Sequence, residues 1–298
     1  MTANLFEAAR WFVLMTAELV VLFLALSFLI GLLGAWVPEQ KVRLMFEKRS
    51  PLGAYLGGAV LGAITPFCTC SSIPVLTGFL RSGAPFGPTM TFLFASPLLD
   101  PVVLALLAFV IGFKGAALYA VVIFVASIGM GVLLARLGLE SDVKEAAYRS
   151  KGEDGCCSVV HLPVWRRAWS EAWGFFVPVL PYLLVGTVIG AVVYGFIPTE
   201  WIASVAGADQ PLAIPMAAAF GVPIYVSAET FFPITSALLA KGMGLGAVVA
   251  LLVTGMGVSL PEVSMLAGLF RARLVAVLVA SVFVVAIGSG MIFANIGV

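Results

Sequence analysis

The stretch GAALYAVVIFVASIGMGVLLA, residues 115–135, contains no ionisable side chain and is long enough to cross a lipid bilayer as a single helix. About 20 consecutive apolar residues are needed to span the hydrocarbon core. Residues 274–296 form a second run without an ionisable residue, and residues 11–36 form a third in which Glu18 is the one charge. The three runs predict transmembrane helices, and for Glu18 we expect an interfacial or packing role.

The composition of the whole chain agrees with these runs. Hydrophobic residues make up 62% of its 298 residues and charged residues 10%, against about 45–50% and about 25% in average soluble domains. A soluble fold could not bury so much apolar surface, so we predict an all-α, multi-pass protein of the bacterial cytoplasmic (inner) membrane. The net charge of +1, with no basic tract rich in aromatics, gives no indication of a nucleic-acid partner.

The chain resembles itself when it is shifted by 159 or 160 residues. Glycines and prolines then coincide along most of its length, and the hydropathy pattern matches as well. The coinciding pairs are Gly31/Gly190, Pro38/Pro198, Gly62/Gly221, Pro74/Pro233, Gly83/Gly242, Gly87/Gly246, Pro101/Pro261 and Gly129/Gly288. We therefore predict two transmembrane repeats, residues 1–139 and 169–298, joined by a polar cytoplasmic linker, residues 140–168.

The positive-inside rule suggests how each repeat crosses the membrane. The second apolar segment of each repeat, residues 52–81 and 211–241, is broken by proline and polar residues. If these segments enter and leave on one face as re-entrant hairpins, thirteen of the sixteen basic residues share one side. Each repeat then has about three transmembrane helices plus a hairpin, and the two repeats are inverted, as in many secondary transporters. A single kinked span is the alternative for each broken segment.

The middle of the first predicted hairpin, residues 65–74, reads Thr-Pro-Phe-Cys-Thr-Cys-Ser-Ser-Ile-Pro. Irregular backbone at membrane depth is tolerated only where it is buried in protein or lines a cavity, and transporters build substrate sites from such breaks. Thiols are soft ligands that select soft partners. In the alternative reading, the cysteines pack as small hydrophobes while Ser and Thr cap broken helices. The predicted substrate-binding residues here are Cys68, Thr69, Cys70, Ser71 and Ser72.

The second repeat carries Tyr-Val-Ser-Ala-Glu-Thr-Phe-Phe-Pro, residues 225–233, at the equivalent position. Its Ser227, Glu229 and Thr230 align with Cys68, Cys70 and Ser71, and we add them to the predicted substrate site. A carboxylate at bilayer depth costs at least about 2.5–3.5 kcal/mol, so it usually has a function. We predict that Glu229 couples transport to a proton or cation; the alternative is a neutral Glu229 bonded to the ends of a broken helix.

Both third segments place a carboxylate beside a proline. Asp100 lies in Ser-Pro-Leu-Leu-Asp-Pro, residues 96–101, and Glu262 in Gly-Val-Ser-Leu-Pro-Glu, residues 257–262. We predict a coupling or gating role for both carboxylates. Each also occupies a position at which a carboxylate caps a half-helix or stabilises its first turn, and the two roles are compatible.

The predicted linker contains Cys156, Cys157 and His161, the chain's one histidine. Two thiols and an imidazole at this spacing predict a weak metal site, and a solvated linker with reduced thiols is the alternative. The motifs of P-loop nucleotide hydrolases, zinc proteases and serine hydrolases are absent from the sequence. We therefore expect no enzyme activity and no cofactor, with transport driven by an ion gradient, a substrate gradient or a partner.

Several of these motifs together resemble a known family. Residues 67–71 (Phe-Cys-Thr-Cys-Ser), followed by Pro74, Gly78, the turn at residues 81–85 and residues 96–101, look like the bacterial permease family that includes organoarsenical efflux permeases. The resemblance covers nearly the whole chain. It implies efflux of a thiophilic compound, a trivalent organoarsenical or a metal ion, with Cys68 and Cys70 contacting the substrate.

Two other functions stay open at this stage. One is a permease for an unrelated small anion, which the positive ends of half-helices would attract. The other is a membrane thiol-redox protein that uses the two cysteine pairs as exchange partners. Glycine-rich helix faces also permit a homodimer without requiring one.

Overall fold

A computed structural model describes residues 51–65, 69–144, 212–223 and 242–296, with isolated positions between 10 and 28, between 165 and 188, and at 235, 236, 238 and 239. Residues 69–71 and 74 are described by their backbone alone. The long elements in these ranges are helices: α1 Pro51–Ile64, α2 Thr69–Arg81, α3 Phe86–Leu98, α4 Pro101–Arg136, α5 Ala213–Gly221, α6 Leu245–Gly257, α7 Leu260–Leu269 and α8 Ala272–Ile296. A short 3₁₀ helix, Leu139–Asp142, follows α4.

Two of the described helices, Pro101–Arg136 and Ala272–Asn295, are long and apolar enough to cross a membrane. The pair α6 and α7, bent by 41° at its break, would supply a third span if it crosses as one unit. This is the architecture of an all-α membrane protein, as the composition predicts.

Helix α4 is too long for a single span. Its 36 residues would extend about 54 Å at 1.5 Å per residue, whereas the hydrocarbon core is about 30 Å thick. Gly112 divides it with φ 80° and ψ 162°, a conformation open to glycine because it has no Cβ. Residues 113–136 are then long enough for one span, and residues 101–111 form a separate helical segment between Gly112 and the break at Leu99 and Asp100.

Helix α1 runs parallel to α3 and packs closely against it through glycine. A Cβ on Gly58 would press on the backbone of Pro88, near the start of α3. A Cβ on Gly62, one turn further along α1, would lie 2.6 Å from Ala95 Cβ and 2.9 Å from Ser96 N, near the end of α3. Because contacts advance in the same order along both helices, the two point in the same direction.

Helix α2 runs the opposite way along α3. Ser72, in its first turn, contacts Ser96, whereas Phe79, near its end, packs edge-to-face on Phe92 at 5.3 Å between ring centroids. α1 and α2 are therefore the two arms of a helical hairpin, and we call residues 65–71, which connect the arms and begin α2, its tip. The sequence predicts irregular backbone between Pro66 and Pro74, but α2 already begins at Thr69, so the interruption between the arms is shorter than expected.

The first and second halves of the chain have matching element bounds. Helices α3 and α6 have 13 residues each, and their first residues are 159 positions apart. The turns before them contain Gly83 and Gly242, with φ 76° and 84°. Asp100 and Ser259, again 159 apart, are the N-caps of α4 and α7.

A backbone clasp joins the end of the first half to the junction between α7 and α8. Val143 and Phe270 form an antiparallel bridge, in which Lys144 N donates to Leu269 O at 2.9 Å and Arg271 N donates to Asp142 O at 2.9 Å. Arg271 Nη1 lies 3.9 Å from Asp142 Oδ1. The clasp therefore holds the start of the predicted linker next to Arg271.

Candidate functional site

The two central half-helices end against each other. Every residue of α3 is buried, as are residues 246–256 of α6. Leu98, the last residue of α3, packs on Gly257, the last residue of α6: a Cβ on Gly257 would lie 3.6 Å from Leu98 Cδ2. The two ends enclose a small apolar cavity lined by Leu93, Phe94, Pro97, Leu98, Gly257, Val258, Leu266 and Leu278.

In the first half, the hairpin tip lies beside the break between α3 and α4. The hydroxyl oxygens of Ser72 and Ser96 are 2.8 Å apart, and both side chains are fully buried. Ser72 is the fourth residue of α2, and Ser96 lies three residues before Leu99, where α3 has ended. This bond therefore joins the segment after the tip to the segment before the break.

In the second half, the end of α5 meets the break between α6 and α7. Leu260 N, at the start of α7, donates to Val222 O at 3.0 Å. A Cβ on Gly221 would lie 3.1 Å from Gly255 N and would press on Thr254 Oγ1. As in the first half, a glycine near the end of one helix allows close approach to the half-helix beside it.

Four helix interruptions thus lie around one place: those after α1, α3, α5 and α6. The groups at helix ends lack intrahelical partners, so the broken ends expose backbone N–H and C=O dipoles. An arrangement of this kind can hold a polar or charged ligand inside an otherwise apolar protein. This convergence is the candidate functional site.

Asp100 caps α4 at this site. Its Oδ1 accepts a hydrogen bond of 2.7 Å from Val102 N, and Pro101 occupies the first helical position. The carboxylate is partly exposed. The geometry is the capping arrangement anticipated from the sequence, and a gating role is compatible with it.

Glu262 is a buried carboxylate in the first turn of α7, with 2% of its surface exposed. Its Oε2 accepts a hydrogen bond of 3.1 Å from Ser259 N, the N-cap of the helix. The positive end of the helix dipole favours a negative charge there. Glu262 therefore combines the capping position with the burial expected of a functional carboxylate.

Several predicted site residues lie outside the described residues. These are Cys68 at the hairpin tip, its counterparts Ser227, Glu229 and Thr230, the linker residues Cys156, Cys157 and His161, and also Glu18. Thr69, Cys70 and Ser71 form the first turn of α2, where the backbone alone is described. Substrate contact by these residues stays a prediction.

The structure adds site residues that sequence reasoning missed. Ser96, Leu98 and Gly257 were seen only as parts of proline-containing interruptions, yet they form the contacts that bring the helix ends together. The sequence signal that could have identified Ser96 is a serine directly before Pro97 in an apolar run. Across the described ranges, no group of three or more His, Cys, Asp or Glu side chains could hold a metal ion.

Comparisons with known proteins identify relatives along nearly the whole chain. The family model ArsP_1, described as "Predicted permease", matches residues 4–295. A UPF0718 protein of Methanocaldococcus jannaschii is 24% identical over 82% of this chain and 83% of its own length. UPF0718 protein YcgR of Bacillus subtilis is 22% identical over 88% of both chains. UPF0718 protein YraQ of Escherichia coli K12 is 27% identical over 72% of this chain and 62% of its own length. No solved structure matches the chain.

Proposed function

The chain belongs to the ArsP_1 family of predicted permeases, and we propose that it is a secondary efflux permease for a soft, thiophilic substrate of the bacterial inner membrane. The substrate class is trivalent organoarsenicals or soft metal ions. The convergence of four helix interruptions carries this proposal, because the cysteine-bearing tip belongs to one of them. The thiols of Cys68 and Cys70 would bind the substrate, with Thr69, Ser71 and Ser72 around them.

Close packing contacts support two structural repeats. Glycines 159 positions apart pack against residues that are also 159 positions apart. The matching contacts are Gly131 against Gly87 and Thr91, and Gly290 against Gly246 and Ala250. Matching contacts at the same offset of 159 residues are expected if the two halves, residues 1–139 and 169–298, have the same fold.

The direction of α7 supports an inverted relationship between these repeats. Leu266 of α7 lines the same cavity as Leu93 of α3, and α7 also contacts α2. After the break between α6 and α7, helix α7 therefore lies beside α2 and α3 of the first half. Inverted repeats produce this path, since α3 and α6 then approach the centre from opposite faces.

The coupling group is best assigned to a carboxylate of the second repeat. Glu262 is almost fully buried in the first turn of α7, and Glu229 aligns with Cys70 at the second predicted tip. A proton or cation bound at either would compensate the cost of a carboxylate inside the membrane. The Asp100 carboxylate caps α4 by accepting a hydrogen bond from Val102 N, which favours a structural or gating role for this residue.

The two alternative functions have less support. A small anion would compete at the half-helix N-termini with Asp100 and Glu262, which already occupy those ends. A thiol-redox role would need exchange between the tip cysteines and those of the linker, but the sequence has no Cys-x-x-Cys motif and the two pairs lie far apart along it.

Transport into everted membrane vesicles tests the proposal. Wild type should accumulate a trivalent methylated arsenical or a soft metal ion, whereas a Cys68→Ser/Cys70→Ser variant should not. Cys156→Ser/Cys157→Ser is the matched control, because it removes the same number of thiols from the linker. Equal transport by wild type and the tip variant, or transport of a hard anion alone, would overturn the thiophilic assignment.

A further inference from the structure

Both arms of the first hairpin are anchored on a single turn of α3. On the α1 side, a Cβ on Gly62 would lie 2.6 Å from Ala95 Cβ and 2.9 Å from Ser96 N. On the α2 side, Ser72 Oγ and Ser96 Oγ are 2.8 Å apart. The chain between these anchors, residues 63–71, includes both cysteines of the tip. Its two ends are therefore held at one point of the protein.

We propose that Ser96 is a positioning residue that fixes the first turn of α2 and so sets where Cys70 is presented. Cys70 and Ser72 are the second and fourth residues of α2, so a helical backbone relates them rigidly. The serine pair is fully buried. Loss of the bond between the two hydroxyls therefore costs free energy, because water does not readily replace it. This inference deepens the proposed function, since it concerns the same cysteine-bearing tip.

Ser96 has no hydroxyl counterpart at the aligned position of the second half. Gly255 stands 159 positions after Ser96 and has no side chain, although Gly221 packs beside it as Gly62 packs beside Ser96. The close glycine contact is thus present in both halves. The hydroxyl at this position thus accompanies the half that carries Cys68 and Cys70, which suits a role specific to the cysteine tip.

The alkylation rate of Cys70 measures this positioning without reference to any transported substrate. The background protein has Cys68, Cys156 and Cys157 replaced by Ser, which leaves Cys70 as the one thiol. Ser96→Ala and Ser72→Ala each remove the bond, and Ser96→Thr retains a hydroxyl. Ser127→Ala is the matched control, because that buried serine donates only to its own helix at Ile123 O, 2.8 Å away.

With N-ethylmaleimide as the probe, Ser96→Ala and Ser72→Ala should change the alkylation rate of Cys70 by about three- to tenfold in the same direction. Their double variant should change it by less than the two single effects combined, since both variants remove the bond between Ser72 and Ser96. Ser96→Thr should stay close to the background rate, and Ser127→Ala should change it by less than about twofold. In a protein with all four cysteines, Ser96→Ala should raise the KM for a trivalent arsenical more than it lowers the maximal rate.

An unchanged alkylation rate in a monodisperse Ser96→Ala or Ser72→Ala protein would overturn the inference, as would additive effects in the double variant. If Ser96→Ala does not fold, Ser72→Ala tests the same bond from the other arm. If wild type transports neither a trivalent arsenical nor a soft metal ion while the serine effects on alkylation are intact, the proposed substrate class is refuted and the positioning role stands.

Discussion

Leu98 and Gly257 are in contact at the centre of the protein, and their positions differ by the 159 residues at which the sequence aligns with itself. Each is the last residue of a buried half-helix. Two residues related by a two-fold axis meet only near that axis. The proposed axis between the repeats therefore passes through this apolar contact, with the hairpin of the first half beside it.

Close glycine contacts should make the ends of α1 and α5 sensitive to a single added methyl group. Gly62→Ala would place a Cβ 2.6 Å from Ala95 Cβ, and Gly221→Ala one 3.1 Å from Gly255 N. Overpacking of this kind costs about 1–3 kcal/mol. Thermal unfolding in detergent should show a lower midpoint for both variants. Gly129→Ala, with no atom within 4 Å of its Cβ, should leave the midpoint unchanged or raise it.

The side assignment can be checked by labelling single cysteines in a cysteine-free background. Cysteines at Lys48, Gly152 and Arg271 should react with an impermeant maleimide from the cytoplasmic side, whereas one at Lys114 should react from outside. The clasp supports this grouping, since Arg271 N bonds to Asp142 at the start of the linker. Labelling of Lys48 and Gly152 from opposite sides would contradict the re-entrant, inverted arrangement.

The clasp should accept an engineered disulfide. Val143 and Phe270 form a non-hydrogen-bonded antiparallel pair, for which Cα atoms lie about 4.5 Å apart, within the range that a disulfide spans. We expect Val143→Cys/Phe270→Cys to cross-link under oxidation and to lose transport, because alternating access moves one repeat against the other. Reductant should restore transport. Normal transport by the cross-linked protein would show that this junction stays closed throughout the cycle.

Charge-neutral variants separate capping from coupling at Asp100 and Glu262. Asn caps a helix as well as Asp does, so Asp100→Asn should keep both stability and transport, while Asp100→Ala should lose about 1 kcal/mol of stability. Glu262→Gln keeps an acceptor for Ser259 N and should remain folded but lose gradient-driven accumulation. Accumulation by Glu262→Gln at the wild-type rate would leave Glu229 as the remaining candidate for coupling.

By itself, the sequence determined the class of protein and the places where its helices break. Apolar runs such as residues 115–135 directly indicate segments that lie in lipid. Prolines with polar neighbours interrupt a helix through local backbone chemistry. An interruption after α1 and the break at Leu99–Asp100 could therefore be predicted, as could the cap at Asp100. The length of the first interruption could not, since residues 69–74 are helical. The tip motif at residues 67–71 also indicated the permease family.

Only the tertiary structure decided which interruptions meet. Ser72 and Ser96 are 24 positions apart, and Lys144 bonds through Nζ to Ala267 O, 123 positions away. Neither partner leaves a periodic or local signal, because the choice depends on how whole helices pack. The positioning serine, the Leu98–Gly257 contact and the clasp follow from that packing, and the physical reason is that close approach needs complementary surfaces from distant segments.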